Sequence, residues 1–410
     1  MNKLKVLMFG WEYAPIVSGG LGVVCRSIAQ NLIKQNVKLT FVLPRLPSKI
    51  SVDNMTLINA NETQYHVQAD TIIEIETQIS PYMSKKEFEE IKNSLRLKRE
   101  AGDSNDMYGV DLFEEVIKYA ARATEIAANN PHDVIHAHDW MTAQAAINAR
   151  SVSNKPFILH IHSTEIERTA GSPHPIIFNY EKEGMLKADK IIAVSERTKE
   201  IISDSYGIDR NKIEVVHNSV DDCSTNLDSN TIPENVSPSV LFLARLAPSK
   251  GADYLLRAGQ KVIQVMPDVK FIFIGKGSMK DELVDLSREL GIEDNVIFPG
   301  FLNHEQVDMA YKRASLFVMP SISEPFGITA LEAIRNGTPV LMSKQSGAGE
   351  VVRNVLKVDF WDTDEMANKI MAVIKHKTLA SELRKNSINE LQRLNWEQQT
   401  EKIIQIYHTL

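Results

Sequence analysis

Apolar positions along the chain fall in short runs of strand length, separated by polar turns and longer amphipathic stretches. Val6 to Phe9 is such a run, Ser18-Gly19-Gly20-Leu21-Gly22 turns it into a helical pattern reaching about Gln35, and Lys38 to Pro44 is a second run. Strand, glycine-rich turn, helix and strand in that order make a βαβ unit with parallel strands. Asp111 to Asn129 is an amphipathic helix, and Asp133 to Trp140 is a strand leading into a helix from about Met141. Pro156 to Glu165 repeats the arrangement. Lys190 to Glu196 does so again, with Ser195 placed to cap the next helix, and Lys212 to Asn218 closes this half. The segment from about Ser48 to Val110 is the least regular, with a charged helical stretch over 85–100 and a turn at 102–106. Insertions of this kind sit at the rim of a crevice, and the sequence assigns this one no role.

Asp221 to Ser239, rich in Ser, Asn, Asp and Pro, has linker composition, after which the alternation starts afresh. Ser239 to Arg245, Val269 to Gly275, Val296 to Leu302, Ala314 to Pro320 and Pro339 to Ser343 read as strands with helices between them. The expectation is an α/β protein of two doubly wound parallel sheets, with domains at 1–222 and 236–390 and a last helix within 391–410.

The densest chemistry lies at residues 323–333. A buried strand ends there, and the chain turns at Gly327 into a helix that stops near Asn336-Gly337. A helix N-terminus carries amides without internal partners and the positive end of the dipole, so Gly327, Ile328 and Thr329 suit an anion such as a diphosphate. Glu324 before the turn and Glu332 about two turns after it would then face hydroxyls on either side of the phosphates. A helix with an ordinary acidic first turn and one solvated Glu fits the same spacing. Arg245 and Lys250, at a strand end and its loop, supply a guanidinium fork and a mobile ammonium for the same diphosphate, or form a solvated basic loop. His138 ends a strand where α/β sheets bind ligands, and is read as a polar contact with substrate. His136 is expected to point elsewhere, and with no third ligand nearby no metal site is expected.

A formal net charge of -7 gives no reason to expect nucleic acid or anionic membrane as partner. Two cysteines, Cys25 and Cys223, support neither a disulfide framework nor a thiolate metal site, which points to the cytoplasm. No segment is apolar for long enough to span a bilayer. The first glycine cluster departs from G-x-G-x-x-G, which argues against a dehydrogenase and leaves a simple close-packing turn as the other reading.

Taken together, Ser18 to Gly22, His136-Ala137-His138-Asp139-Trp140, His162 to Glu165, Arg245 with Lys250-Gly251, Gly300-Phe301-Leu302, and Glu324 through Glu332 resemble the retaining two-domain (GT-B) glycosyltransferases of the GT4 and glycogen/starch synthase group. The resemblance implies transfer of a hexose, glucose first, from UDP- or ADP-glucose to an oligo- or polysaccharide, without cofactor or obligate metal. It implies that Arg245, Lys250, Gly19, Gly20, Phe326, Gly327, Ile328 and Thr329 surround the diphosphate. Glu332 would bind the ribose, Glu324 would face the sugar, and His138 would approach its 6-hydroxyl. Gly300, Phe301 and Leu302 would lie beside the base, and His162, Ser163 and Glu165 on the acceptor side. A C-terminal helix from Leu391 to Tyr407 would brace the N-terminal domain. Val17 stands where bacterial ADP-glucose-dependent glycogen synthases typically carry Lys. Other readings are a transferase for another saccharide or glycoconjugate, and a nucleotide-sugar binder or epimerase on the same fold.

Overall fold

Two all-parallel sheets organise the chain in this computed structural model, which describes residues 3–14, 20–44, 55–60, 112–220 and 237–410. The first contains β1 (Lys5–Phe9), β2 (Lys38–Leu43), β3 (Met55–Asn59), β4 (Val134–His138), β5 (Phe157–Ile161), β6 (Lys190–Ala193) and β7 (Ile213–Val215), in the order β3-β2-β1-β4-β5-β6-β7. The second contains β8 (Ser239–Leu243), β9 (Lys270–Ile274), β10 (Val296–Gly300), β11 (Leu316–Met319), β12 (Val340–Ser343) and β13 (Leu356–Val358), in the order β10-β9-β8-β11-β12-β13. β4 and β5 are buried at every position because helices cover both faces. That is why, apart from His136, His138 and His160, they read as apolar runs.

Besides β13, an edge strand absent from the sequence reading, three details differ from it. Within the irregular segment, residues 55–59 form β3, an edge strand paired with β2 from Leu39↔Met55 to Leu43↔Asn59. Its side chains are only partly buried, so it lacked the apolar density that marked the central strands. The 85–100 stretch and the 102–106 turn lie outside the described residues, as does most of the linker.

The returning helix begins at Trp396, not Leu391. A helix over Lys377–Leu391 ends, the chain turns, and Asn395 caps Trp396–His408 by accepting from the Gln398 amide. This last helix buries Trp396, Ile403 and Tyr407 in the cluster that holds Val6, Met8, Cys25 and Val134. Gln35 Nε2 ties it to Thr400 Oγ1 at 2.6 Å. The third difference concerns the histidines of β4 and belongs with the site.

Candidate active site

Strand order reverses between β1 and β4 in the first sheet and between β8 and β11 in the second. Crevices at such switch points are where open α/β sheets hold ligands. In the second sheet both flanking loops carry the expected groups. A turn over Pro248–Lys250 follows β8 and ends at Gly251, whose φ of 68° is left-handed. A Cβ at Gly251 would stand 2.1 Å from the Pro320 carbonyl oxygen, so glycine lets the end of β11 lie directly on the β8 loop. The Ile322 amide donates to the Ser249 carbonyl at 2.9 Å across this junction. The result is that Lys250 Nζ sits 2.8 Å from Glu324 Oε2, and Ser321 Oγ 3.2 Å from the same oxygen. Arg245 is half-buried at the end of β8.

The helix Ile328–Arg335 starts at Gly327, with φ 104°, no side-chain cap and no acidic residue in its first turn. Glu324 belongs to the preceding loop, and Glu332 is half-buried and accepts from Tyr311 Oη at 3.2 Å. Burial raises the Glu332 carboxyl against the pull of Arg335. Neither glutamate is therefore the solvated first-turn acid of the ordinary reading. The Phe326 side chain is core, and its carbonyl accepts from Ser346 Oγ at 2.9 Å. Thr329 is half-buried, and its Oγ1 lies 3.6 Å from Met319 Sδ. Gly300 and Leu302 flank Phe301, which is 64% exposed with Lys276 Nζ 5.6 Å from its ring centroid.

The first half reaches this junction directly. Ser195 Oγ donates to the Pro325 carbonyl at 2.7 Å, and Ile328 packs against hydrophobic clusters of both halves. Glu350 accepts from the amides of Glu196 and Arg197 at 2.9 and 3.0 Å, and pairs with His217 Nε2 at 2.9 Å. Gly20 begins the first long helix, while Gly19 and Val17 lie outside the described residues.

His136 corrects the sequence reading. Residues two apart on a strand share a face, so His136 and His138 lie side by side with ring centroids 4.6 Å apart. β5 pairs in register, His138↔His160, and adds His160 and His162 to the same face, 4.3 Å apart. The sequence signal was present: two H-x-H runs on consecutive apolar strands that pack as neighbours. His138 Nδ1 and His162 Nε2 share a hydrogen bond of 2.9 Å. Burial holds all four imidazoles neutral, with His162 lowered to about 3 and the other three well below the usual range. A third potential ligand is therefore near after all: His136, His138 and His160 form one group, and Cys25, His138 and His162 another.

A family model described as glycosyl transferases group 1 matches residues 226–390, and one described as starch synthase catalytic domain matches residues 5–213, more than half of the chain. The chain belongs to the glycosyltransferases. An uncharacterized glycosyltransferase of Methanocaldococcus jannaschii is 27% identical over 366 residues, covering 86% of this chain and 83% of its own. The glycogen synthase of Mycobacterium tuberculosis is 26% identical over 359 residues, covering 86% and 80%. Among solved structures, Anabaena HepE in complex with UDP and glucose superposes with a TM-score of 0.69 at 19% identity, over 99% of this chain and all of the other. The two sheets of this glycosyltransferase are the GT-B architecture. Among its described residues no helix is long and apolar enough to cross a membrane.

Sequence reasoning gave no role to three residues of the glycosyltransferase that set this geometry. Asp139 follows His138 at φ 58°, a left-handed conformation that strains a non-glycine residue and is found where surroundings over-determine it. Its amide donates to the His160 carbonyl at 2.9 Å, and its Oδ1 accepts from the His162 amide at 2.7 Å, locking the ends of β4 and β5 together. Burial raises the Asp139 carboxyl to about 6. Tyr407, from the last helix, meets His136 Nδ1 at 2.5 Å, and His136 Nε2 meets His160 Nδ1 at 3.3 Å. Tyr311 orients Glu332. By contrast, Glu165 turns inward: Arg168 and the His174 amide take its carboxylate, beside buried Glu181. Ser163 is half-buried at the end of β5.

Proposed function

We propose that this glycosyltransferase moves glucose from a nucleotide diphosphate sugar to a saccharide acceptor with retention of anomeric configuration, in the manner of a glycogen synthase. The observation that carries the reading is the gathering of Lys250, Glu324 and the uncapped helix N-terminus at Gly327 on one switch point, in contact with the first domain through Ser195. Likeness to a glycogen synthase over most of both chains supports the acceptor class, and a like fold solved with UDP and glucose supports the donor class.

In this reading Arg245, Lys250 and the amides of Ile328 and Thr329 hold the diphosphate. The bond from the anomeric carbon to phosphate oxygen breaks with its electron pair on the diphosphate. The acceptor hydroxyl bonds to the same face and its proton passes to the departing phosphate oxygen. Fixed positive charge aimed at the leaving group supplies much of the acceleration, so a separate carboxylate base is not needed and neither is a divalent cofactor. His138, neutral, can hydrogen-bond the sugar without adding charge.

UDP-, ADP- and GDP-sugars screened against short maltooligosaccharides, with the product anomer read by NMR, test the reading. An α-linked product from an α-linked donor is expected, and a β-linked product overturns retention. Arg245→Ala and Lys250→Ala should each weaken nucleotide diphosphate binding by roughly tenfold or more, the scale of a lost hydrogen bond to a charged group. Unchanged calorimetric affinity in both overturns the donor assignment. Val17 favours a second reading, a different saccharide or glycoconjugate acceptor. Donor hydrolysis without maltooligosaccharide extension would support it.

A further inference from the structure

We propose that His162 is a positioning residue that fixes the tautomer of His138: it donates from Nε2 to His138 Nδ1, and so holds the His138 proton on Nε2 as a hydrogen-bond donor for the transferred sugar. His138 ends β4, and His162 stands just past the neighbouring β5. Their rings share one hydrogen bond, 2.9 Å between His138 Nδ1 and His162 Nε2. The other two nitrogens, His138 Nε2 and His162 Nδ1, lie on the far sides of the joined rings, buried and without a partner among the described residues.

Burial keeps both imidazoles neutral, so the pair carries two ring protons on four nitrogens. One of those protons fills the shared bond, which leaves two arrangements. With the shared proton on His138 Nδ1, His138 Nε2 is a bare acceptor and His162 carries its own proton on Nδ1. With the shared proton on His162 Nε2, His162 Nδ1 is bare and His138 presents an N–H from Nε2. Each arrangement leaves one buried N–H without an acceptor in the free protein, a rarer condition than an unfilled acceptor. Donor binding separates them. His138 ends β4 beside the switch point between β1 and β4, where a ligand sits, so a sugar oxygen can take the His138 N–H and complete the second arrangement. In the first, the sugar would fill a lone pair and leave the N–H of His162 orphaned. The turn that carries the His162 ring is itself held on both sides: Asp139 Oδ1 accepts from the His162 amide at 2.7 Å, and Arg168 Nη1 donates to the Ser163 carbonyl at 2.7 Å.

The tautomer stands on geometry inside the protein, whereas its contact with the 6-hydroxyl rests on the proposed role of His138. Nitrogen NMR of histidine-labelled, ligand-free protein reads the ring protons directly, with signals assigned from His138→Gln and His162→Gln. Nε2 of both residues should show N–H character, and Nδ1 of both should be bare. His162→Leu should spread the His138 proton over both ring nitrogens. His162→Gln, whose amide can donate to Nδ1, should restore it to Nε2. Calorimetry then compares the 6-deoxy-6-fluoro and 6-deoxy analogues of UDP-glucose, or of ADP-glucose where the donor screen selects it, because fluorine accepts a hydrogen bond and cannot donate one. The fluoro analogue should bind at least about twofold tighter to the parent and to His162→Gln, the low end for a neutral hydrogen bond, and no tighter to His138→Ala. A His138 proton on Nδ1 in the parent, or an unchanged His138 tautomer in His162→Leu, overturns the inference. Should His162→Leu fail to fold, the parent spectrum decides alone. An Nε2 proton with equal binding of the two analogues overturns the contact between His138 and the 6-position, while the tautomer stands.

Discussion

Gly251→Ala tests how the β8 and β11 loops come together. An alanine held at φ 68° costs roughly 1–2 kcal/mol on conformation alone. Its Cβ would also meet the Pro320 carbonyl oxygen at 2.1 Å and its carbon at 3.0 Å, where backbone must give way. Overpacking of that kind adds about 1–3 kcal/mol. Gly291 supplies the control in the same half of the chain: its φ is 67°, and an added Cβ meets nothing within 4 Å. Gly291→Ala should therefore lose roughly 1–2 kcal/mol and Gly251→Ala roughly 2–5 kcal/mol, the difference being the contact itself. The displacement falls on the Ile322–Ser249 hydrogen bond and on Lys250 opposite Glu324, so nucleotide diphosphate affinity should drop in Gly251→Ala only. Urea unfolding followed by circular dichroism gives the first quantity, and UDP or ADP calorimetry the second. Equal destabilisation of the two variants with equal nucleotide affinity would refute the close approach as the reason for glycine.

Tyr311→Phe removes the hydroxyl that orients Glu332, and should raise the donor KM about 10- to 150-fold with kcat little changed, as expected for a lost hydrogen bond to a charged group. A lowered kcat with unchanged KM would contradict that. Tyr407→Phe leaves His136 Nδ1 unpaired, and should cost about 1–3 kcal/mol of stability and lower kcat while donor affinity holds. Parental kinetics would separate the last helix from the chemistry. Acid should unfold the protein early: His162 titrates near 3 when folded but near 6.5 when unfolded, so below about pH 7 the unfolded chain binds the extra proton. Its contribution is whole above pH 6.5 and shrinks by about 2 kcal/mol between pH 7 and pH 5, with the other three histidines of the same sign. Asp139, raised to about 6, works the other way by about 1 kcal/mol. A urea midpoint flat over that range would refute a neutral cluster.

The sheets were legible because helices cover both faces of a parallel strand, leaving apolar runs that turn residues punctuate. The site loops were legible because backbone demands reach the sequence as particular residues: glycine at 251 and 327, and basic or acidic side chains at strand ends. What escaped was everything set by non-local pairing. β3 is a half-exposed edge strand and looks like loop. The start of the last helix depends on an Asn395 cap after a break that apolar periodicity alone runs straight through. The histidine face needs the register His138↔His160, which nothing local to either strand states. Glu165 sits in a polar run indistinguishable from a substrate-facing one until Arg168 and Glu181 are seen to enclose it.

Two helix N-termini meet where the halves of the glycosyltransferase touch, and they are finished differently. The helix Glu196–Tyr206 is closed twice over: Ser195 accepts from the Thr198 amide, and Glu350 from the other half takes the amides of Glu196 and Arg197. Its positive end is spent on joining the domains. The helix Ile328–Arg335 begins on a left-handed glycine, with neither a capping side chain nor a first-turn carboxylate, just after Glu324 and its partner Lys250. Amides left in that condition are stabilised by an incoming anion, whereas at Glu196 an anion would first have to displace a carboxylate already bound. Lys250 behaves consistently, since it is paired with Glu324 across a contact that an incoming diphosphate can enter by competing for the ammonium alone. The asymmetry between the two helix ends supports the proposed place of the donor phosphates at Gly327, and it leaves Ser195 and Glu350 to join the two halves.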